Sequence, residues 1–193
     1  MTRARLLAAA KEIFEERGLL DARIADITMR AGVSYGSFYH YFDSKEAVFR
    51  EVAAIVEARL SAPLDDVIFV RGSGSTPEER LHEGISRYFE SYREDARLLG
   101  VIEQASRFDE EVSALRRAHY RETATQIAAS IRQLQRRGMA DPELDPKVAA
   151  TALGAMTYRF AELWLAQGEL ECDFEAGVDT VARLFVNALG LRR

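Results

Sequence analysis

Between Ile24 and Tyr41 the apolar residues fall into two short runs, Ile24–Ala31 and Ser34–Tyr41, with Gly32 in the gap. A helix shorter than about 12 residues is marginal in water. Neither run folds alone, so the pair must be held by mutual packing. Ile27 and Ala31 mark the inner side of the first, Val33 and Phe38 that of the second. Gly32 supplies the left-handed corner that a residue with a Cβ resists. Small residues at 28 and 31 let the two axes approach closely. Any fold of this chain has to accommodate that corner.

The remainder is helical by pattern. Apolar residues recur at three- and four-residue spacing almost everywhere, and alternating β-branched runs are scarce. A first helix is predicted over Arg3–Arg17, with Leu6, Ala10, Ile13 and Phe14 on one face and Gly18 ending it. Asp43-Ser44-Lys45-Glu46 resembles a capping box and opens a helix expected to stop at Arg59–Ser61, ahead of Pro63. Residues 70–75 are linker-like. Thr76-Pro77-Glu78-Glu79 restarts helix to about Glu94, and further helices follow over 96–106, 110–137, 146–167 and 174–189. The expectation is an all-α chain of about nine helices. It comprises an N-terminal three-helix domain over residues 1–50 and a C-terminal helical domain over 51–193.

Composition narrows the class. With 48% hydrophobic residues, four Pro and 12 Gly in 193, the chain has enough apolar surface to bury a core. Cys172, the single cysteine, cannot make an internal disulfide and fits a reducing, cytoplasmic compartment. No uncharged run approaches the ~20 residues of a membrane span, and the first segment turns charged too early for a secretory signal. Charge is unevenly divided. Residues 1–50 hold eight Lys or Arg against seven Asp or Glu, whereas 51–193 hold eighteen against twenty-four. A near-neutral head on an acidic body is what contact with an anion would need, and a chance fluctuation of a few charges gives the same pattern.

The corner has the outer chemistry of a helix-turn-helix, in which the second helix enters the DNA major groove. Its leading end offers Ser34, Tyr35, Gly36 and Ser37, small or hydrogen-bonding groups suited to base edges. Gly36 costs about 1 kcal/mol of helix propensity against Ala, which a close approach to another surface would explain. Five aromatic rings follow, Phe38-Tyr39-His40-Tyr41-Phe42, and they cannot all point inward on a helix. Phe38 and Phe42 share the buried side. Tyr39, His40 and Tyr41 remain for phosphate oxygens, or the set forms an aromatic core with one Tyr exposed. Lys45 sits in the first turn of the next helix, where a cation opposes the macrodipole unless a phosphate lies there.

The residues Ile24-Ala25-Asp26-Ile27, Ala31-Gly32-Val33-Ser34, Gly36-Ser37-Phe38-Tyr39-His40-Tyr41-Phe42 and Ser44-Lys45-Glu46 resemble the DNA-binding domain of the tetracycline-repressor (TetR) family. The likeness covers roughly residues 3–50. It implies a homodimeric, ligand-responsive regulator, a repressor released from a palindromic double-stranded DNA operator by a small effector. It also implies backbone contacts from Tyr39, His40 or Tyr41 and from Lys45. Where the family often has a Thr that caps the second helix and touches phosphate, this chain has Ala22, so Asp21 or Arg23 must take over. Thr28 replaces the usual small Ala, and its hydroxyl either loosens the helix pair or points at DNA. Two residues precede Arg3, which leaves little arm for the minor groove.

The C-terminal region is expected to sense and dimerise. The apolar positions of 146–167 and 174–189 outnumber what one core can hide, and pairing of these last two long helices with a second copy would bury them. An effector space is expected among Phe89, Tyr92, Ile102, Phe108, Tyr120, Met156, Phe160 and Trp164, with Arg159 and Glu103 as its polar candidates. Such a lining suits a hydrophobic molecule, although rings at helical spacing are more often plain core. Catalysis finds no support. His40, His82 and His119 lack metal-ligand spacing, and Gly72-Ser73-Gly74-Ser75 lacks the Lys of a phosphate loop. No cofactor or metal is expected. The competing reading is a helical small-molecule-binding protein or enzyme that does not bind DNA.

Overall fold

The computed structural model describes residues 1–69, of which 61–69 by backbone alone, and 76–191. Every regular element among them is helical: α1 (Thr2–Asp21), α2 (Ile24–Ala31), α3 (Tyr35–Tyr39), α4 (Lys45–Phe69), α5 (Pro77–Ala105), α6 (Glu110–Arg136), α7 (Pro146–Ala161) and α8 (Phe174–Leu189). A π-helical turn, Glu162–Ala166, continues α7 directly. The all-α expectation therefore holds. Among the described residues there are eight α-helices rather than nine because 77–94 and 96–106 are one helix. Arg93-Glu94-Asp95 looks polar enough to be a boundary, yet Asp95 is buried and paired with Lys11 at 3.2 Å. Helix α4 also runs past Pro63 to Phe69. A proline inside a helix removes one hydrogen bond and bends the rod without having to end it. The linker expected at 70–75 lies outside the described residues.

The helix ends follow local chemistry. At Gly32 the chain turns left-handed (φ 62°, ψ 43°), with the Gly32 N–H donating to Met29 O and the Val33 N–H to Thr28 O. At Thr76 the box closes in both directions. Glu79 N–H donates to Thr76 Oγ1 at 3.1 Å, and Thr76 N–H donates to Glu79 Oε2 at 2.7 Å. Asp145 accepts from Lys147 N at 2.8 Å and Val148 N at 3.0 Å, and Asp173 accepts from Ala176 N at 3.2 Å. The N–H groups of Val148 and then Lys147 hold the Asp145 carboxyl below the usual range. The cap of α4 is Ser44, not Asp43: its Oγ accepts from Ala47 N at 3.0 Å. A cap serves the third residue after it, and α4 begins at Lys45.

Packing divides the chain into two units, residues 1–58 with 95–117, and residues 59–94 with 118–193. In the first, Leu6, Ala10, Ile13 and Phe14 of α1 pack with Ile27, Phe38, Phe42, Val48 and Phe49, all at 5% exposure or less. Phe14 meets Phe49 edge-on at 4.9 Å. Burying each such ring contributes about 1.5–3 kcal/mol, and this is what holds α2 and the five-residue α3 in place. In the second unit, Ile127, Ile131, Ala150, Val178, Val181 and Phe185 are buried around Phe89, Tyr92 and Trp164.

Candidate nucleic-acid interface

The corner orients its own surface. Ser34 caps α3, accepting from Ser37 N at 3.3 Å, and its Oγ lies 2.8 Å from Ser37 Oγ. Helix α3 spans only Tyr35–Tyr39, shorter than the predicted 34–41, because the Tyr41 and Phe42 N–H groups both close onto Phe38 O. Phe38 is fully buried and Phe42 nearly so, which turns their neighbours outward. Tyr35, Tyr39 and Tyr41 are 53%, 49% and 42% exposed, and Ser34, Gly36 and His40 are also exposed, with Ser37 half-buried. The Tyr35 and Tyr39 hydroxyls lie 3.3 Å apart. That hydrogen bond raises the Tyr39 phenol above its ordinary value. A Cβ built on Gly36 would meet no atom of the chain within 4 Å, so nothing within the molecule requires a glycine there.

Thr28 and Lys45 make contacts that the sequence pattern does not indicate, and Arg23 is exposed but makes no cap. Thr28 is 4% exposed, and its hydroxyl donates to Ala25 O at 3.0 Å, so it is spent inside the helix pair and does not face DNA. Lys45, half-buried at the edge of an open cleft, turns its ammonium toward the end of α1. It donates to Leu19 O at 2.8 Å, Leu20 O at 2.8 Å and Ala22 O at 3.1 Å. Arg23 is exposed at the N-cap of α2, where neither it nor Asp21 makes a side-chain cap. Arg17, Leu20, Asp21, Ala22, Arg23 and Lys45 line one cleft at this corner. Met29, 76% exposed beside the corner, was missed by periodicity. An apolar residue on the outer side of an amphipathic helix is the signal that marks it.

The effector candidates separate. Phe89, Phe160 and Trp164 form one cluster, with centroids 5.3–5.7 Å apart, and Phe174 stacks on Trp164 at 5.7 Å. The ring of Trp164 fits because position 177 is Gly: a Cβ there would lie 2.5 Å from it. Tyr92 and Tyr120 each meet Tyr158, at 6.0 and 5.2 Å, a residue that sequence reasoning passed over. Burial, and then Tyr158, raise the Tyr92 phenol and keep it neutral. Met156 is half-buried in the same unit, and Tyr120 is 38% exposed. Ile102 and Phe108 fall in the first unit. Ile102 is plain core, and Phe108, 58% exposed on the turn before α6, faces solvent. Arg159 points outward to pair with Glu162 at 2.6 Å, and Glu103 belongs to the first unit, where it holds Arg116.

Comparison with known proteins agrees with this geometry. Residues 6–52 match the model of the tetR family of bacterial regulatory proteins, and residues 81–189 match that of the C-terminal domain of the transcriptional regulator EthR. The HTH-type transcriptional regulator EthR of Mycobacterium tuberculosis is 29% identical over 186 residues, which cover 95% of this chain and 85% of that protein. UidR of Escherichia coli, also an HTH-type transcriptional regulator, is 26% identical over 162 residues, 81% and 78% of the two chains. Among solved structures, SmeT, the repressor of the Stenotrophomonas maltophilia multidrug efflux pump SmeDEF, superposes with a TM-score of 0.78 at 24% identity, covering 97% of this chain and 90% of that one. That likeness establishes the fold.

Proposed function

Because this chain belongs to the TetR family of bacterial regulatory proteins, we propose that it is a cytoplasmic homodimeric repressor, not an enzyme, that leaves a palindromic operator when a hydrophobic effector binds. The observation that carries the reading is the outward set Ser34, Tyr35, Gly36, Ser37, Tyr39, His40 and Tyr41 around a buried Phe38, with open space over Gly36. In this reading residues 1–50 are the DNA-binding head. The small groups of α3 approach base edges, while the tyrosines, His40 and Arg23 meet phosphates.

Residues 51–193 then sense and dimerise. On α7, Val148, Ala152 and Ala155 are exposed, and on α8 so are Ala176, Thr180, Leu184 and Ala188, at four-residue steps. Two such stripes set against those of a second copy would bury them. The effector class follows from Phe89, Tyr92, Tyr120, Met156, Phe160 and Trp164, a lining of rings with few polar groups. Effector binding shifts α4 and alters the spacing of the two heads, which biases the dimer away from the operator.

The test is selection of bound duplexes from genomic DNA. One inverted-repeat sequence is expected to be enriched, with retention falling steeply as salt rises. No enrichment at any sequence overturns the reading. An operator affinity that stays constant across a lipid and drug panel overturns its effector half.

A further inference from the structure

We propose that the buried ion cluster of Glu57, Arg116 and Glu103 is a positioning device, which fixes the axial setting of α4 against α5 and α6 and so the spacing at which two DNA-reading corners meet an operator. The second half of that statement rests on the dimeric, DNA-binding reading above. The first observation is burial. Glu57 of α4 and Arg116 of α6 are 2% and 7% exposed, far from water for groups that carry full charges. Arg116 Nε lies 3.4 Å from Glu57 Oε1, and its Nη1 donates both to Glu103 of α5 and to Ser106 Oγ, the latter at 3.0 Å. Ser106 is tied in turn, donating to Glu103 O at 2.7 Å. One guanidinium therefore joins three helices.

The second observation is energetic. Two carboxylates and one guanidinium do not balance, and desolvating such charges costs as much as their attraction returns unless the geometry is near ideal. Glu57 shows the cost: burial raises its carboxyl, and Arg116 only partly offsets this. Apolar side chains of similar volume would hold the helices at least as firmly. Stability therefore does not account for the cluster. What it adds is selectivity of position, because a charge displaced in a low-dielectric interior loses its partner, whereas aliphatic contact is non-directional.

The third observation is place. Between residues 50 and 57 the other buried side chains of α4 are Val52, Ala53 and Val56, small aliphatic groups that tolerate a shift along the helix axis. Glu57 and Arg116 stand one residue inside the points, 58 and 117, where α4 and α6 run on out of the first unit. At its other end α4 begins at Lys45, three residues after the buried Phe42 that anchors the DNA-reading corner. A displacement of α4 that enters from residue 59 onward must pass the cluster before it reaches that corner.

The experiment compares wild type with E57M/R116M/E103M, which makes the whole cluster apolar, and with E57Q, which keeps the shape and leaves Arg116 to Glu103. Urea unfolding of the triple variant is expected at or above the wild-type midpoint. Its residues 45–58 are nevertheless expected to exchange their amides about tenfold faster in the DNA-free protein. The third readout is binding to the duplex that wild type enriches from a random pool, with the spacer between half-sites lengthened or shortened by one base pair, a step of about 3.4 Å. Wild type is expected to lose about tenfold in affinity on either change, E57Q about fivefold and the triple variant about threefold. A triple variant that is less stable than wild type overturns the proposal, since the cluster would then serve stability. Unchanged exchange over 45–58 overturns it too, as does full spacing selectivity in the triple variant or in E57Q. A wild type that enriches no duplex overturns the DNA reading alone, and the exchange measurement still decides the setting of α4.

Discussion

In the unit formed by residues 1–58 and 95–117, helices that share an apolar core are also tied by charge. Lys11 of α1 reaches the buried Asp95 of α5 at 3.2 Å. Arg50 of α4 donates to Asp109 Oδ2 from Nε at 3.2 Å and Nη2 at 3.0 Å, while Asp109 Oδ1 caps the start of α6. Arg116 of α6 holds Glu103 of α5 and lies 3.4 Å from Glu57 of α4. The unit formed by 59–94 and 118–193 is different. Its ion pairs Arg87–Glu83 and Arg159–Glu162 run along one stretch of chain, His82–Asp179 is exposed, and its helices meet through rings. An ion pair with hydrogen-bond geometry specifies one distance and angle, and its strength follows pH. Rings in edge contact bury more area and titrate little. The first unit thus adds ion pairs between helices to its own core of rings.

The largest effect should come from volume. Trp164→Ala removes the centre of the ring cluster and is expected to cost about 3–5 kcal/mol in urea unfolding, nearly independent of pH. A cost that varied strongly with pH would erase the distinction. In the first unit, Arg116→Met leaves Glu57 and Glu103 without their shared cation, and a destabilisation of about 3 kcal/mol at pH 7 is expected. It should shrink at pH 5, where the Glu57 carboxyl, already pushed up to about 7, is protonated with or without Arg116. Equal destabilisation at both values would show that charge is not what Arg116 contributes.

Glu57 sharpens the same contrast. Burial, opposed by Arg116, pushes its carboxyl up from 4.5 to about 7. The folded state then holds a proton that the unfolded state has released. Stability tied to this group is fully present below about pH 4.5, declines as pH rises toward 7, and is level above. Glu57→Gln should remove that decline, so the wild-type-minus-variant difference in unfolding free energy should fall between pH 4.5 and 7. A flat difference would refute it. The smallest effect is at the surface. Gly36→Ala should raise stability by about 0.5–1 kcal/mol, since its Cβ meets open space, while weakening operator retention. A variant that gains stability and binds as well as before would remove the case for close approach at Gly36.

Much of this was legible in the order of residues. Periodicity located the helices, and Gly32, Thr76, Asp145 and Asp173 marked their ends, because caps and left-handed corners depend on neighbours a few positions away. The contrast of buried Phe38 with exposed Tyr35 and Tyr39 followed from helical geometry, whereas Tyr41 and Phe42 lie past the end of α3, in a turn closed onto Phe38 O. The fate of Lys45 did not. Its three acceptors stand more than twenty positions earlier in the chain, and only folding brings carbonyls at that separation around one nitrogen. The burial of Thr28, the joining of 77–94 with 96–106, and the meeting of Glu57 with Arg116 are of the same kind. Local order sets which way a side chain faces on its own helix; what it meets there depends on how distant helices cross, and that is decided by close packing of the whole.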